Sequence, residues 1–285
     1  MNISPQIITR FAPSPTGHLH LGHAYSARLA HDFARARDGR FLLRIEDIDQ
    51  GRCKAEYESA IYEDMKWIGL TWETPVRRQS DHMDDYRQAL DILDRKGVLF
   101  PCFCTRKDIR REIADSGRAA HSSEGPLYPG TCRTLTMAER QLRLDADTPH
   151  ALRLDMAKAL ELLGDETLIW KDIDAGEQIA NPETLLRTLG DAVLARKDIP
   201  TSYHLSVVVD DHLQNISHVI RGKDLFQATH LHRLLQFLLN YNTPQYLHHK
   251  LLTDDKGWRY AKRDNSKTLK FMRENGEEVA WASFF

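Results

Sequence analysis

Three histidines stand close together in His18-Leu-His-Leu-Gly-His23, behind the turn-rich run Ala12-Pro-Ser-Pro-Thr-Gly17. A strand-to-helix turn aims backbone N–H groups and the positive helix end at an anion, and imidazoles there can donate to phosphate oxygens as charge develops at phosphorus. Gly22 lets a nucleotide lie close to the backbone. A bare H-x-G-H is weak, since histidines at a helix start also cap or pack; its place after a strand gives it weight. A second group is Cys102-Phe-Cys104 with Cys132. In an extended segment the period of two puts the first two thiols on one face, and three thiolates with a fourth ligand suit tetrahedral zinc. His121 is a fourth ligand on general chemistry, and the plain alternative is three reduced cysteines in a small core. Cys53 lies apart. A third group is cationic: Lys250, Lys256, Arg259, Lys262, Arg263, Lys267, Lys270 and Arg273 face only Asp254, Asp255 and Asp264 in the same stretch. Such a run is either a solvated surface or a patch that takes phosphates.

These groups need a frame. Ile7 to Phe11 is β-prone, small and apolar residues recur at helical spacing from Leu21 to Arg37, and Phe41 to Ile45 is a compact apolar strand. Strand, helix and strand in this space predict a βαβ unit and hence a parallel sheet. Helical patterns follow around Tyr57–Ile68 and Tyr86–Leu93. From Val98 to about residue 190 the character changes, with three of the four cysteines and short strand candidates at Ala151–Leu154 and Thr167–Trp170. This reads as an inserted module. The α/β pattern returns at Ala192–Ala195 and runs through Val207–Val209, Ser217–Ile220 and a helix over Leu225–Leu239. The expected units are 1–97, 98–190, 191–240 and 241–285.

At 285 residues, with 41% hydrophobic and 28% charged, the chain can bury a full α/β core and one extra module. The first fifteen residues hold no apolar stretch of signal-peptide length, and no run reaches membrane-spanning length. Four cysteines without such a signal predict a reducing, cytoplasmic compartment. The formal net charge of −2 leaves any nucleic-acid contact to local patches.

Arg10-Phe-Ala-Pro-Ser-Pro-Thr-Gly17 followed by His20-Leu-Gly-His23 resembles the opening of glutamyl-tRNA synthetases, with the HIGH signature of class I synthetases. Leu43-Arg-Ile-Glu-Asp47, Tyr203-His-Leu, Val208-Val-Asp-Asp211 and His218-Val-Ile-Arg-Gly222 continue the match in family order over nearly the whole chain. Within the family the resemblance is greatest to the short paralogues that act on queuosine in tRNA(Asp). It implies an α/β fold, a Rossmann-like parallel-sheet class I core with an inserted zinc-containing module, a short C-terminal lysine-loop region and no anticodon-binding domain.

For the site, the resemblance implies that His20, Gly22 and His23 meet ATP, which arrives with Mg2+. The lysine loop of the class matches Arg259-Tyr-Ala-Lys-Arg263, where Lys262 holds the second lysine while Arg259 and Ala261 replace the first lysine and the serine. Arg10, Ala12, Ser14, Glu46, Tyr203 and Arg221 match positions around the L-glutamate substrate. Two guanidinium groups favour an anionic side chain over glutamine. The Tyr-x-x-x-Cys pattern after Cys-x-Cys adds Tyr128 to Cys102, Cys104 and Cys132 as a zinc ligand, beside the rival His121. Asp47, Asp49, Asp210 and Asp211 suggest a two-metal carboxylate cage on general chemistry; the resemblance favours structural or substrate-orienting roles. The expected reaction forms glutamyl-adenylate and passes glutamate to queuosine in the tRNA(Asp) anticodon stem-loop, by a monomer that needs no membrane. The alternatives are a minimal glutamyl-tRNA synthetase acting on tRNA(Glu), a silent tRNA- or amino-acid-binding paralogue, and a small nucleotidyltransferase of the same superfold.

Overall fold

A computed structural model describes residues 6–116, 121–122, 125–252 and 267–281. The chain opens with β1 (Ile8–Phe11), α1 (Leu21–Arg35), β2 (Arg40–Ile45), α2 (Ala55–Trp67), β3 (Glu73–Arg78) and α3 (Met83–Arg95). Next come β4 (Leu99–Cys102), α4 (Arg106–Ser116), the short strands β5 (His121–Ser122) and β6 (Gly125–Pro126), α5 (Met137–Asp145), β7 (Ala151–Leu154) and α6 (Met156–Leu163). Then follow β8 (Ile169–Asp172), β9 (Gly176–Ile179), the single turn α7 (Pro182–Thr184), β10 (Val193–Ala195) and α8 (Tyr203–Leu213). The last elements are β11 (His218–Gly222), α9 (Ala228–Leu239), β12 (Gln245–His249) and α10 (Leu269–Glu274).

The expected βαβ unit forms: β1, β2 and β3 are parallel neighbours, with Arg10 opposite Leu42. A second group is ordered β11-β12-β8-β9, parallel except for the β8–β9 hairpin. The two groups meet where Ser217, just before β11, donates its N–H to the Ile8 carbonyl at 3.0 Å and accepts the Ile8 N–H through Oγ at 2.7 Å. Period two then sorts side chains to opposite faces. Leu42 and Val219 join the core under α3, α8 and α9, while Phe41, Leu43, Ile45 and Ile220 join the core under α1 and α2. Ala24, Ala27, Ala30 and Ala34 are fully buried along α1, so this helix lies close against the sheet. A larger side chain there costs about 1–3 kcal/mol in displaced packing.

A separate antiparallel sheet, β10-β7-β4, carries a small core of Phe100, Cys102, Phe103, Cys132 and Ala151. The boundaries expected from composition do not coincide with these sheets. The strand expected at Thr167–Trp170 lies at Ile169–Asp172 and pairs with β12, although its sequence falls inside the 98–190 stretch. Conversely, β10 at Val193–Ala195 pairs with β7 of that stretch rather than with the parallel sheet. Strand propensity shows that a segment is extended, not which edge receives it. Among the described residues no helix is long and apolar enough to cross a membrane.

Candidate functional site

The HLGH turn works as a cap. His20 is the N-cap of α1 in extended conformation; its Nδ1 accepts the Gly22 N–H at 3.1 Å, and His23 Nδ1 accepts the His20 N–H at 3.2 Å. The rings lie 3.8 Å apart at their centroids. Because both Nδ1 atoms are acceptors, a neutral ring at either position carries its proton on Nε2. The same turn receives the chain after residue 266: Thr268 bridges to His20, and the Leu269 N–H reaches the Leu19 carbonyl at 2.8 Å. Lys262, Arg259 and Ala261 lie outside the described residues.

The expected glutamate residues converge from separate elements. Arg10 leaves β1 and Glu46 follows β2, while Tyr203 opens α8 and Arg221 lies on β11. Ser14, Glu46 and Tyr203 line a cavity of about 880 Å³ that also reaches Cys104 and Tyr128. Ala12 is half-buried in the turn between β1 and α1, where the Glu46 N–H reaches the Pro13 carbonyl at 3.0 Å. Burial pushes the Glu46 carboxyl above its ordinary range, against the attraction of Arg44 and Arg10. Burial likewise raises the Tyr203 phenol, against the fields of Arg221 and Arg10 and with that of Glu46. The cavity wall therefore carries a carboxyl and a phenol, and behind them Arg10 acts on both while Arg221 acts on Tyr203.

The two guanidinium groups differ in their partners. Arg10 Nε donates to Asp211 Oδ1 at 3.1 Å, and the same carboxylate takes Arg44 Nη1 at 2.8 Å. Arg221, 5% exposed, has no carboxylate partner among the described residues. Its Nη1 reaches Tyr203 Oη and His232 Nδ1, each at 3.3 Å, and its Nη2 donates to Thr229 Oγ1 at 2.6 Å and to the Leu225 carbonyl at 3.3 Å. Its Nε donates to His248 Nε2 at 3.1 Å. Burial, helped by the Arg221 charge, lowers His204 and His248 to about 4 and His232 well below its ordinary value, so all three rings are neutral at pH 7. Among the described residues Arg221 is thus a buried cation held by neutral acceptors.

Asp210 and Asp211 do not form a metal cage. Asp210 takes Arg77 Nε at 2.7 Å, Gln79 Nε2 at 2.8 Å and Tyr86 Oη at 3.1 Å, and Asp211 is occupied by Arg10 and Arg44. Asp47 accepts the Ser80 N–H at 2.8 Å, and Asp49 accepts Arg196 and Arg52 at 3.0 and 2.7 Å. Each carboxylate is already spent on cations or donors.

The cysteine cluster forms as expected. Ligand sulfurs of Cys102, Cys104 and Cys132 lie within 4.8 Å of one another, with Cys104 Sγ 3.5 Å from Cys132 Sγ. Thiolates at ~2.3 Å around tetrahedral zinc stand ~3.8 Å apart, so this spacing fits. Tyr128 Oη is 3.6 Å from Cys104 Sγ and accepts the Cys132 N–H at 2.7 Å, which brings the expected fourth ligand to the cluster. Burial pushes the Cys104 thiol up to about 11 and raises the Tyr128 phenol; Cys132 is lowered, since bonds from Tyr128 and the Phe103 N–H outweigh its burial. The side chain of His121 lies outside the described residues.

Sequence reading did not pick out Asp172, Thr229, His232 or His248 around Arg221. The available signal was a set of polar residues at positions where β8, α9 and β12 turn inward.

The sequence profile described as tRNA synthetases class I (E and Q), catalytic domain, matches residues 6–280. A protein of Rhodobacter capsulatus named glutamyl-Q tRNA(Asp) synthetase is 47% identical over 278 residues, covering 96% of this chain and 97% of its own. A protein of the same name from Deinococcus radiodurans is 40% identical, covering 94% of this chain and 83% of its own. Among solved structures, a glutamate-tRNA synthetase from Elizabethkingia anophelis superposes with a TM-score of 0.76 at 30% identity over 91% of this chain; the chain spans 53% of that protein's length.

Proposed function

The chain belongs to the class I tRNA synthetases of the glutamate and glutamine branch, which makes it a ligase, and from that premise we propose that it activates L-glutamate with ATP and transfers it to queuosine in the anticodon loop of tRNA(Asp). The observation that carries glutamate is Arg221: a buried guanidinium among neutral acceptors, beside a cavity whose wall holds Glu46. A substrate carboxylate, a stronger acceptor than a phenol or an imidazole, takes over the two 3.3 Å contacts on Nη1. Glu46 and Ser14 take the amino-acid end with Arg10 and the backbone at Ala12. Glutamine at the same place leaves Arg221 uncompensated.

In the first step a glutamate α-carboxylate oxygen attacks the α-phosphorus of ATP, and pyrophosphate leaves with the bond to the β-phosphate. His20 and His23 donate through Nε2 to phosphate oxygens where negative charge grows, with Gly22 keeping the approach open. Lys262 supplies a point charge to the pyrophosphate; a few residues after it, Thr268 bridges to His20 of the HLGH turn. In the second step a ribonucleoside hydroxyl attacks the mixed anhydride, loses its proton and releases AMP. Positioning and fixed charge supply the rate, with no covalent enzyme intermediate. Zinc would be held by Cys102, Cys104, Cys132 and Tyr128 and would tie the end of β4 to the Cys132 loop. The segment from β4 to β7, with that cluster in its small antiparallel core, forms the inserted module beside the acceptor.

Queuosine rests on a contrast of relatives: the named glutamyl-Q proteins are 47% and 40% identical to this chain, the glutamate-tRNA synthetase structure 30%. The deciding experiment charges labelled glutamate onto tRNA(Glu) and onto tRNA(Asp) with and without queuosine. Label on queuosine-containing tRNA(Asp) that survives removal of the 3′-terminal adenosine is expected. Label confined to tRNA(Glu) replaces this reading with a minimal synthetase.

A further inference from the structure

Arg221 sits at the end of a buried line of polar groups that no motif announces. Asp172 on β8, His248 on β12 and Arg221 on β11 lie on neighbouring parallel strands, with Arg221 in register with His248 and Asp172 in register with Tyr246. Asp172 Oδ2 is 2.7 Å from His248 Nδ1 and also accepts the His248 N–H at 3.2 Å. His248 Nε2 is 3.1 Å from Arg221 Nε and 3.1 Å from Thr229 Oγ1. Asp172, His248, Thr229 and Arg221 are 1, 7, 0 and 5% exposed, so water does not substitute for any partner.

We infer that Asp172 and His248 are positioning residues that orient the Arg221 guanidinium for its anionic ligand without neutralising it. This rests on the reading of Arg221 as the holder of the glutamate carboxylate.

The chemistry of a neutral imidazole leads there. Such a ring has one donor and one acceptor nitrogen, and the bond that one nitrogen makes decides the role of the other. Burial and the Arg221 charge keep His248 neutral. Burial opposes ionisation of Asp172, but the Ala175 N–H, His248 and the Asp174 N–H outweigh it and hold its carboxyl low. A carboxylate facing Nδ1 places the proton there, and Nε2 becomes the acceptor that Arg221 Nε–H requires. The full negative charge stays one imidazole ring away from the cation. A direct carboxylate–guanidinium bond, like that between Arg10 and Asp211 at 3.1 Å, would occupy the fork that a substrate carboxylate needs. His248 therefore passes on orientation and withholds compensation. The His204–His232 pair approaches Nη1 from another side with neutral rings only, His204 Nδ1 lying 3.2 Å from His232 Nε2.

Asp172 has a structural duty too: its Oδ1 accepts the Asp174 and Ala175 N–H groups at 3.0 and 2.9 Å, closing the β8–β9 turn. The test must separate the two. In Asp172→Asn the carboxamide can present its NH₂ to Nδ1, which forces the proton to Nε2 and sets two donors face to face at Arg221. We expect the apparent KM for glutamate to rise about tenfold to a hundredfold, the range for a lost bond to a charged group, while the KM for ATP stays within about twofold, as for any change that spares the nucleotide side. Arg221→Ala is measured in parallel.

If Arg221→Ala cripples glutamate use and Asp172→Asn leaves the glutamate KM unchanged, the positioning role is overturned and the carboxylate reading stands. If Arg221→Ala itself leaves glutamate use unchanged, the carboxylate reading falls and takes the substrate role of the relay with it. A fall in kcat with both KM values constant also overturns it, since misorientation of Arg221 must weaken glutamate first. Should Asp172→Asn not fold, nitrogen-15 NMR of the wild-type protein decides, with the ring assigned from His248→Gln: a proton on Nδ1 of His248 supports the relay, and a proton on Nε2 overturns it.

Discussion

Two buried groups of arginines solve the same problem in opposite ways. Arg44, fully buried, is ringed by Asp211 at 2.8 Å, Glu46 at 3.2 Å and Asp210 at 3.7 Å, and Arg10 shares Asp211. Burial works against the Arg44 cation, but Asp211 and Asp210 outweigh it and hold the charge in place. Among the described residues Arg221 meets a phenol, two imidazoles, a hydroxyl, a carbonyl and the face of Tyr246, and no carboxylate. In the first group each arginine has a carboxylate of the fold beside it, and these pairs tie β1, β2 and α8 together. The second is matched only by dipoles, so its remaining attraction is directed at an anion from outside. A buried charge thus becomes a binding group when its nearest partners are neutral.

The sharpest way to break this contrast is to change one residue in each group. Asp211→Ala strands Arg10 and Arg44 and should cost about 3–5 kcal/mol of stability, read by denaturant melts. Arg221→Met should leave the melt within a few degrees of wild type and cut kcat/KM for glutamate by about 10²–10³-fold, in line with a lost charge-assisted contact. If both variants lose stability alike, the two groups are one structural network and the contrast is wrong.

Acid tests the neutral acceptors. Burial, with the Arg221 charge, holds His204 and His248 down to about 4 and His232 well below its ordinary value, against 6.5 in an unfolded chain. Between these values the unfolded state binds more protons, so stability is fully present above pH 6.5 and is lost as pH falls toward 4, by about 3 kcal/mol each for His204 and His248. Melting temperature should hold from pH 8 to 7 and fall steeply below 6. Since burial is the largest cause and the Arg221 charge the second, Arg221→Met should soften that fall without removing it. An unchanged profile in the variant would detach the histidines from Arg221.

The cysteine cluster is the mirror case, in which crowded thiols invite a cation. Metal analysis of protein purified without chelator should give about one zinc per chain, and Cys132→Ser should lose it and lower the melting temperature by several degrees, as loss of a structural site implies. Metal-free protein with an unaltered melt in Cys132→Ser leaves Cys102, Cys104 and Cys132 as core.

The residues of the site, though not this contrast, were legible before the fold through the family resemblance. The HLGH turn, Arg10, Glu46, Tyr203 and Arg221 carry their spacing in short contiguous motifs, and a βαβ reading already places most of them at strand ends. The partners of Arg221 were not legible. Asp172 and His248 come from strands far apart in sequence, and the propensity reading placed β8 over Thr167–Trp170, ahead of its observed span of Ile169–Asp172, without naming an edge. Asp210 and Asp211 look from sequence like metal ligands as much as ion-pair partners; only the approach of Arg44 and Arg77 separates the two. Lys262 was named from its motif and lies outside the described residues.

A third carboxylate shows that partner number, not burial alone, sets the sign. Asp211 and Asp64 are both buried and both face arginine. Burial opposes the ionisation of Asp211, but Arg10 and Arg44 outweigh it and hold its carboxyl below the usual range. Asp64 on α2 is hydrogen-bonded by one cation, Arg273 of α10, at 3.3 Å through Oδ1, with Lys270 acting only through its field, while among the described residues its Oδ2 has no hydrogen-bond partner. Here burial wins over Arg273 and pushes the carboxyl up to about 6. The folded state therefore holds this proton more tightly than the unfolded chain, whose Asp titrates at 3.8. Stability associated with the protonated form is present at low pH and lost as pH rises through 6. Asp64→Asn imitates that form. Relative to wild type it should gain about 1–2 kcal/mol on going from pH 5 to pH 8, after allowance for screening by solvent, as seen in paired thermal melts. A difference that does not change with pH would mean that Arg273 compensates Asp64 as fully as Arg10 and Arg44 compensate Asp211. The number of cations hydrogen-bonded to a buried carboxylate would then no longer explain why one acid in this fold is held down and the other pushed up.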